Sequence, residues 1–251
     1  MDADARVQSL DRAIALLNAV ADTPPGGESA AALGARCGLN RATAWRLLAT
    51  LEHHGVLERD PETGNFAIGF TVERWASEAG VEGLVRRAHP IIERIAATTG
   101  ETANLALPRR FGLTYVDEAV PHSVLSARWL GWQAPLHATS TGKAYLAWLP
   151  EDEASTLLSA ELKRYTAKTI VDRRELRTVL ARVRERGYSV SVGEMEDDLF
   201  GASAPVLGTR GRPLGVVSVW GAMSRVTEAE LPEFGELVSE AAGQIAAIMN
   251  G

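Results

Sequence analysis

The segment 138–144, Ala-Thr-Ser-Thr-Gly-Lys-Ala, contains the residues whose chemistry is easiest to interpret. Its hydroxyl side chains open a helical pattern, and the first N–H groups of a helix, with the positive end of its dipole, favour a bound carboxylate. The Gly-Lys pair also occurs in phosphate loops, but that motif requires glycine at His137 and serine or threonine at Ala144. The residues alone leave two interpretations open: a site for a small acid, or a capped helix that binds nothing.

Arg46 offers a second kind of chemistry, the recognition of a nucleic-acid base. In the helical pattern 40–54 the apolar side chains share one face, and Arg46 lies on the opposite face with Ala42, Thr50 and His53. A helix with small or hydrogen-bonding residues in its first turn and an arginine one turn later suits the major groove of DNA. The alternative is that Arg46 only solvates an exposed face.

The elements around Arg46 have the order of a winged helix-turn-helix. Helical patterns cover residues 8–21, 29–38 and 40–54, and Gly38 and Asn40 predict a tight turn between the second and third. Two short apolar-polar segments, 56–59 and 65–68, flank the turn sequence 60–64 and predict a β-hairpin. Arg59 and Asn65 of this wing would lie beside the DNA backbone, or would be ordinary hairpin surface.

The charge of the chain argues against a general binder of polyanions. The 26 Lys and Arg residues are outnumbered by 32 Asp and Glu residues, for a net charge of −6. Residues 1–69 alone carry six arginines and nine acidic side chains, a net charge of −3. Because DNA affinity depends on neutralising phosphates, we expect weak binding by one copy, local action of a few arginines, and oligomerisation.

Composition and motifs exclude several other classes of protein. The chain of 251 residues is 46% hydrophobic and 23% charged, as in folded proteins of one or two domains. A single cysteine, Cys37, allows neither an internal disulfide nor a cysteine-rich metal site. We find no secretory signal, membrane span or catalytic motif, and the acidic cluster 194–198 is most simply a loop. We therefore expect a cytoplasmic protein without catalytic residues, metal or cofactor.

The remainder of the chain predicts an α+β domain. Helical patterns at 71–80 and 82–99 follow the wing; Trp75 in the first either mediates dimerisation or packs in a core, and Pro90 either kinks or restarts the second. Strands are predicted at 102–107, 113–119, 188–195, 202–208 and 214–221, and helices at 141–149, 151–159, 172–186 and 228–249. This mixture favours an antiparallel sheet covered by helices on one face or at its end.

Several motifs, in order along residues 6–249, resemble those of IclR-type transcriptional regulators. Residues 7–13 (VQSLDRA), 38–43 (GLNRAT) and 60–64 (DPETG) are similar to the DNA-binding half of that family. Residues 100–105 (GETANL), 135–144 (PLHATSTGKA) and 186–188 (RGY) are similar to its effector-binding half. The resemblance implies a winged helix-turn-helix at 1–70, a linker helix at 71–84 and a GAF-like effector-binding domain with an antiparallel sheet at 85–251.

The resemblance also implies partners and site residues. We expect a bacterial repressor, although activators occur in the family, that assembles as a dimer of dimers on double-stranded operator DNA and responds to a small carboxylate. The candidate DNA-binding residues are Asn40, Arg41, Thr43, Arg46, Arg59, Thr63 and Asn65. The candidate effector-binding residues are Ala134, Ser140, Thr141, Ser191, Leu199, Gly201, Ser218 and Trp220.

Two of these positions depart from the family pattern. Relatives often carry cysteine at the position of Gly201 and a small residue such as serine at that of Trp220. The exchange replaces polar volume by a flat apolar wall, which predicts an aromatic acid rather than a two-carbon acid. Trp129, Trp132 and Trp148 also lie in this half of the chain, where each could line a pocket or pack in the core. A ligand-binding scaffold with a vestigial DNA module stays open as an alternative, because the module is acidic.

Overall fold

The computed structural model describes residues 7–24, 26–79, 81–109, 112–121 and 129–250. The chain divides into two compact units, residues 1–80 and 81–251. The division falls within the segment 71–84 that the sequence assigns to a linker. Each unit is described separately.

The first unit is a winged helix-turn-helix, as the sequence predicts. Its elements are α1 (Gln8–Ala21), α2 (Ala30–Arg36), α3 (Arg41–His53), β1 (Leu57–Arg59), β2 (Phe66–Ile68) and α4 (Phe70–Ala79). The side chain of Ser29 caps α2, and the side chain of Asn40 accepts a hydrogen bond from the Thr43 N–H at 2.9 Å to cap α3. The helices and the antiparallel β1–β2 hairpin enclose a core in which Leu33, Leu48 and Phe66 are fully buried.

The second unit contains a six-stranded antiparallel sheet. Its helices are α5 (Glu82–Thr99), α6 (Ser140–Leu146), α7 (Glu151–Leu157), α8 (Arg173–Arg186) and α9 (Leu231–Asn250), with a short 3-10 helix at Glu228–Glu230. Its strands are β3 (Thr102–Arg109), β4 (Gly112–Ala119), β5 (Gln133–Ala134), β6 (Ser189–Val192), β7 (Leu199–Leu207) and β8 (Pro213–Ala222). The strand order is β5-β4-β3-β8-β7-β6, with every neighbouring pair antiparallel. The antiparallel sheet predicted from the sequence is confirmed, and the edge strand β5 is an addition to it.

One face of the sheet forms the main core with the two long helices, α5 and α9. Ile92 and Ile95 of α5 and Val238 of α9 are buried against strand residues such as Leu105 and Val219. The helix α5 continues through Pro90 without restarting. Because its apolar face is packed over its whole length, the loss of one backbone hydrogen bond at proline is tolerated.

The opposite face of the sheet carries a polar row below α6. Strand register places five polar side chains next to one another across five strands: Ser189, Ser203, Ser218, Asn104 and Glu118. Directly opposed residues on neighbouring strands point to the same face, so these side chains form a continuous line across the sheet. Polar groups on a covered face require partners or a ligand, which makes this side of the sheet the place to search for a site.

Candidate effector site and DNA-binding surface

A cavity lies between the start of α6 and the strands β4, β6, β7 and β8. Its empty volume is about 410 Å³, a figure that includes space open to solvent. The residues that line it are Tyr115, Trp129, Ala138, Thr139, Ser140, Thr141, Ser191, Met195, Leu199, Phe200, Gly201 and Trp220. The lining combines hydroxyl groups with aromatic and aliphatic side chains.

Six of the eight effector-binding candidates contribute to this lining: Ser140, Thr141, Ser191, Leu199, Gly201 and Trp220. Ala134 instead pairs with Leu113 on β4 and is buried in a neighbouring apolar cluster. Ser218 is buried in the polar row of the sheet, and its hydroxyl has no hydrogen-bond partner among the residues that the structure describes.

The hydroxyl-rich turn is held in place by its own hydrogen bonds. Thr139 caps α6 by accepting a hydrogen bond from the Gly142 N–H at 3.0 Å. The hydroxyls of Ser140 and Ser203 are 2.8 Å apart, which joins the turn to the polar row of the sheet. A Cβ at Gly142 would lie 2.3 Å from the Cα of Leu136, so only glycine allows this close approach. The turn is therefore a rigid element of the cavity wall.

Tyr115 supports the turn from the adjacent strand. Its hydroxyl donates a hydrogen bond to Thr141 Oγ1 at 3.1 Å. Burial raises the pKa of Tyr115 to about 12, with the Thr141 hydrogen bond acting in the opposite direction. The phenol therefore stays protonated at neutral pH and remains a donor.

Gly201 has a steric reason to be glycine in this chain. A Cβ at this position would lie 2.6 Å from Ser140 Oγ. A cysteine here would require the Ser140 hydroxyl to move away from Ser203. Gly201 therefore lets α6 approach β7 closely enough for the Ser140–Ser203 hydrogen bond.

Two indoles and a phenol form the aromatic wall of the cavity, which we define as Tyr115, Trp129 and Trp220. The ring centroids of Trp129 and Trp220 are 5.4 Å apart with an interplanar angle of 57°, and Tyr115 meets Trp129 edge to face at 6.1 Å. From the sequence, Trp129 could line a pocket or pack in the core; its ring contacts with Tyr115 and Trp220 place it in the cavity wall. Trp132 is 66% exposed and is not part of the lining.

A buried ion pair fastens α6 to the segment that follows β6. Lys143 Nζ contacts Glu194 Oε1 and donates a hydrogen bond to the carbonyl oxygen of Val190 at 3.0 Å. Burial lowers the pKa of Lys143, and the Glu194 carboxylate partly offsets this effect. The Gly-Lys pair of the sequence thus has a structural partner, and Glu194 belongs to the acidic cluster that the sequence analysis assigned to a loop.

The DNA-binding candidates of α3 lie on or near its exposed face. Arg41 and Arg46 are exposed, Thr43 is half-buried, and Asn40 is the N-cap of the helix. Ala44 and Leu48 are buried on the opposite side. The two arginines are therefore available to a groove, while Asn40 already uses its side-chain oxygen to hold the helix end.

Arg59 of the wing packs against the third helix. Its guanidinium lies over the Trp45 ring at 4.9 Å from the centroid, and its Nε–H donates a hydrogen bond to the Gly64 carbonyl at 3.3 Å. Trp45 in turn contacts Phe66 edge to face. Arg59 thereby fixes the hairpin against α3 with its guanidinium at the surface.

The other two wing candidates make hydrogen bonds within the unit. Thr63 is exposed, and its hydroxyl accepts a hydrogen bond from the Asn65 N–H at 3.3 Å. The Asn65 amide donates to the carbonyl of Gly26 at 3.2 Å and so ties the hairpin to the chain between α1 and α2. Asn65 therefore supports the wing from inside the unit.

Within the described ranges there is no group of three or more His, Cys, Asp or Glu residues arranged to hold a metal ion. Within the same ranges, no helix has the length and apolar character required to cross a membrane.

Comparisons with known proteins agree with both halves of the fold. Residues 9–61 match the IclR helix-turn-helix domain, and residues 78–247 match the C-terminal domain of bacterial IclR transcriptional regulators. The transcriptional repressor IclR of Escherichia coli is 31% identical over 99% of this chain and 92% of its own length.

Solved structures of the same type cover nearly the whole chain. The crystal structure of the Thermotoga maritima IclR superposes with a TM-score of 0.63 and 26% identity, covering 98% of this chain and 100% of that one. An IclR homologue from Microbacterium hydrocarbonoxydans, complexed with 4-hydroxybenzoate, has a TM-score of 0.60 and 25% identity over 96% of this chain and 98% of that one. These relatives are regulators of transcription and not enzymes. The chain belongs to the IclR family of bacterial transcriptional regulators.

Proposed function

We propose that this regulator is a repressor that releases or changes its hold on operator DNA when a small aromatic carboxylate enters the cavity of the second unit. The observation that carries the effector class is the pair Trp129 and Trp220, whose ring centroids are 5.4 Å apart and which line the same cavity as the hydroxyl-rich turn. Flat apolar walls bind a ring, and the hydroxyls of Ser140, Thr141 and Ser191 supply hydrogen bonds to a carboxylate. The 4-hydroxybenzoate complex of the Microbacterium homologue supports an aromatic acid.

The proposed DNA contact is made by residues 1–70, with 71–84 as a linker and 85–251 as the sensor. The exposed side chains of Arg41 and Arg46 would enter the major groove, and the wing with Arg59 and Thr63 would lie beside the phosphates. Because the module is acidic overall, these few arginines supply the local positive charge. We favour repression over activation because the E. coli relative is named a transcriptional repressor. As a DNA-binding regulator of a bacterium, the protein would act in the cytoplasm.

Oligomerisation has a candidate surface within the first unit. Apart from Trp45 on α3, its exposed large apolar side chains lie at the start of and along α1 and on α4: Val7, Leu10, Ile14, Phe70 and Trp75. Exposed apolar side chains of this kind are frequent in protein–protein contacts, and a second copy would cover them. For Trp75, the sequence is compatible with a core contact or a dimer contact; in the structure its side chain is half exposed. We therefore propose that this surface contributes to the dimer of dimers.

Trp75→Glu is expected to shift the protein toward the monomer, since a charge would be buried in the contact between copies. Sedimentation velocity over a concentration series measures the change. Arg74→Glu, an exposed neighbour on the same helix, is the matched control and should leave the distribution of species as in the wild type. Equal distributions for Trp75→Glu and the wild type would contradict this surface.

The function as a whole is tested by a thermal-shift screen of small carboxylates, combined with mobility-shift titrations of promoter DNA at several salt concentrations. An effector raises the unfolding temperature and changes the apparent affinity for the promoter. A ligand that stabilises the protein without any promoter binding at low salt would favour a sensor with a vestigial DNA module, an alternative that the net charge of −3 over residues 1–69 supports.

Trp220→Ser is expected to weaken binding of benzoate by about tenfold or more, since a stacked aromatic contact is worth about 0.5–1.5 kcal/mol beyond its buried area. Binding of propionate should change much less, because the serine hydroxyl replaces apolar surface by a polar group. Isothermal titration calorimetry with both acids measures the two losses. Equal losses, or a wild type that binds no aromatic acid, would count against an aromatic effector.

A further inference from the structure

Two polar residues outside the cavity lining connect the Trp220 indole to the main chain of Trp129. The Nε1–H of Trp220 donates a hydrogen bond to Asn104 Oδ1 at 2.6 Å. The Asn104 amide donates to Glu118 Oε2 at 3.1 Å, and the same carboxylate oxygen accepts the backbone N–H of Trp129 at 2.9 Å. A continuous chain of three hydrogen bonds therefore runs from the Trp220 side chain to the Trp129 main chain.

The chemistry of the four groups fixes the direction of every bond in this chain. An indole N–H only donates, and an ionised carboxylate only accepts. The amide between them must therefore turn its oxygen to Trp220 and its nitrogen to Glu118, and a flipped Asn104 would break both contacts. Asn104 is fully buried, so an amide without these partners would cost the desolvation of its polar atoms. The arrangement is thus rigid as well as directional.

The position of these three hydrogen bonds within the sheet explains their effect on the cavity. Trp220 is paired with Gly201 and Thr102 in the register, whereas Asn104 is paired with Ser218 in the next row. The Trp220–Asn104 bond therefore draws the indole diagonally from its own row to the polar row. Ser218, a neighbour of both, is buried and absent from the cavity lining.

We infer that Asn104 and Glu118 are positioning residues that hold Trp220 and Trp129 as a fixed wall and thereby make the cavity selective for flat aromatic acids over aliphatic ones. The inference rests on the proposed effector class and assigns the selectivity to residues that touch no ligand. Without Asn104 the indole of Trp220 is free to rotate away from Trp129, and the hydroxyls of the polar row become accessible from the cavity. The selectivity would then shift toward small aliphatic acids.

Asn104→Leu removes the acceptor for the indole at nearly unchanged side-chain size. We expect benzoate to bind about tenfold more weakly, the equivalent of one lost hydrogen bond, while propionate changes by less than about threefold. Two indoles in contact also produce an exciton couplet in circular dichroism, identified by its loss in Trp220→Phe. The couplet should disappear in Asn104→Leu and persist in Trp148→Phe, which removes an indole outside the cavity lining.

Variants at Glu118 test the same set of hydrogen bonds at the acceptor next to Trp129. Glu118→Gln keeps a carbonyl oxygen for both donors, so its acid selectivity and couplet should remain close to those of the wild type. Glu118→Leu removes the acceptor and should reproduce the Asn104→Leu phenotype, which also keeps the test decisive if one variant fails to fold. Equal losses for benzoate and propionate with an intact couplet would overturn the positioning role.

Failure of the proposed effector class gives a different result. If the wild type binds neither acid, that class is wrong, and the positioning role is then decided by the couplet alone. A couplet present in the wild type and absent in Asn104→Leu supports the role of the hydrogen-bond chain. A couplet unchanged in Asn104→Leu and Glu118→Leu overturns it.

Discussion

Arg46→Ala is expected to reduce operator affinity by at least about 30-fold while leaving the thermal stabilisation by an effector unchanged. Arg46 is exposed on α3, on the side opposite the buried Ala44 and Leu48. A bidentate arginine contact to a base is worth about 1–3 kcal/mol, and a dimeric assembly loses two such contacts at once. Because the variant removes no buried group, the fold and the sensor should be unaffected.

Mobility-shift titration with promoter DNA measures this loss, and a thermal shift with the effector measures the intact sensor. Arg174→Ala removes the same charge from an exposed position on α8 of the second unit and serves as the matched control. Unchanged DNA affinity in Arg46→Ala would exclude α3 as the recognition helix. A similar loss in Arg174→Ala would instead show that bulk charge determines the affinity.

The acidity of the first unit predicts that the proposed DNA contact includes few phosphates, which a salt titration of operator binding tests. Arg59 is held over Trp45, and the Asn65 amide is hydrogen-bonded to Gly26, so both residues stabilise the fold of the wing. With only six arginines in residues 1–69, few counterions should be released on binding, so we expect a shallow dependence of affinity on salt. The specificity of this regulator would then depend on a few base contacts repeated by symmetry.

The first unit could be predicted from the sequence because local signals mark its elements. Ser29 and Asn40 cap α2 and α3 with their side chains, as their positions before the helical patterns suggest. The segment 60–64 forms the hairpin turn, where Gly64 has a φ of +72° that favours glycine. Element limits were less accurate: β7 begins at Leu199, three residues before the predicted strand at 202–208.

The aromatic wall and its supports could not be predicted, since they depend on pairings between distant segments. Asn104 and Trp220 are 116 residues apart in the chain and meet because β3 and β8 are neighbours in the sheet. Nothing in the sequence marks Glu118 as the acceptor for the Trp129 N–H. Burial of Lys143 was equally hidden, because the hydroxyls next to it favour an exposed, ligand-binding turn.

The ion pair Lys143–Glu194 is the second feature whose removal should have a large effect. Lys143 is 1% exposed, and the Glu194 side chain is 11% exposed. Glu194 Oε2 has no hydrogen-bond partner among the residues that the structure describes, so Lys143 carries the main compensation for this carboxylate. Lys143→Met leaves the carboxylate buried without a cation, which costs about 3–5 kcal/mol in comparable cases.

Lys143→Met is therefore expected to lower the unfolding temperature of the protein by roughly 10 °C, at about 2–4 °C for each kcal/mol. We also expect weaker binding of an effector, because α6 and the segment after β6 border the cavity. The double variant Lys143→Met/Glu194→Leu should recover most of the stability, since a buried ion pair is often replaced by apolar side chains at little cost. Arg212→Met breaks an exposed pair with Glu153 and should change the stability by less than about 1 kcal/mol. Calorimetry that finds equal losses for Lys143→Met and Arg212→Met would show that burial does not determine the strength of this pair.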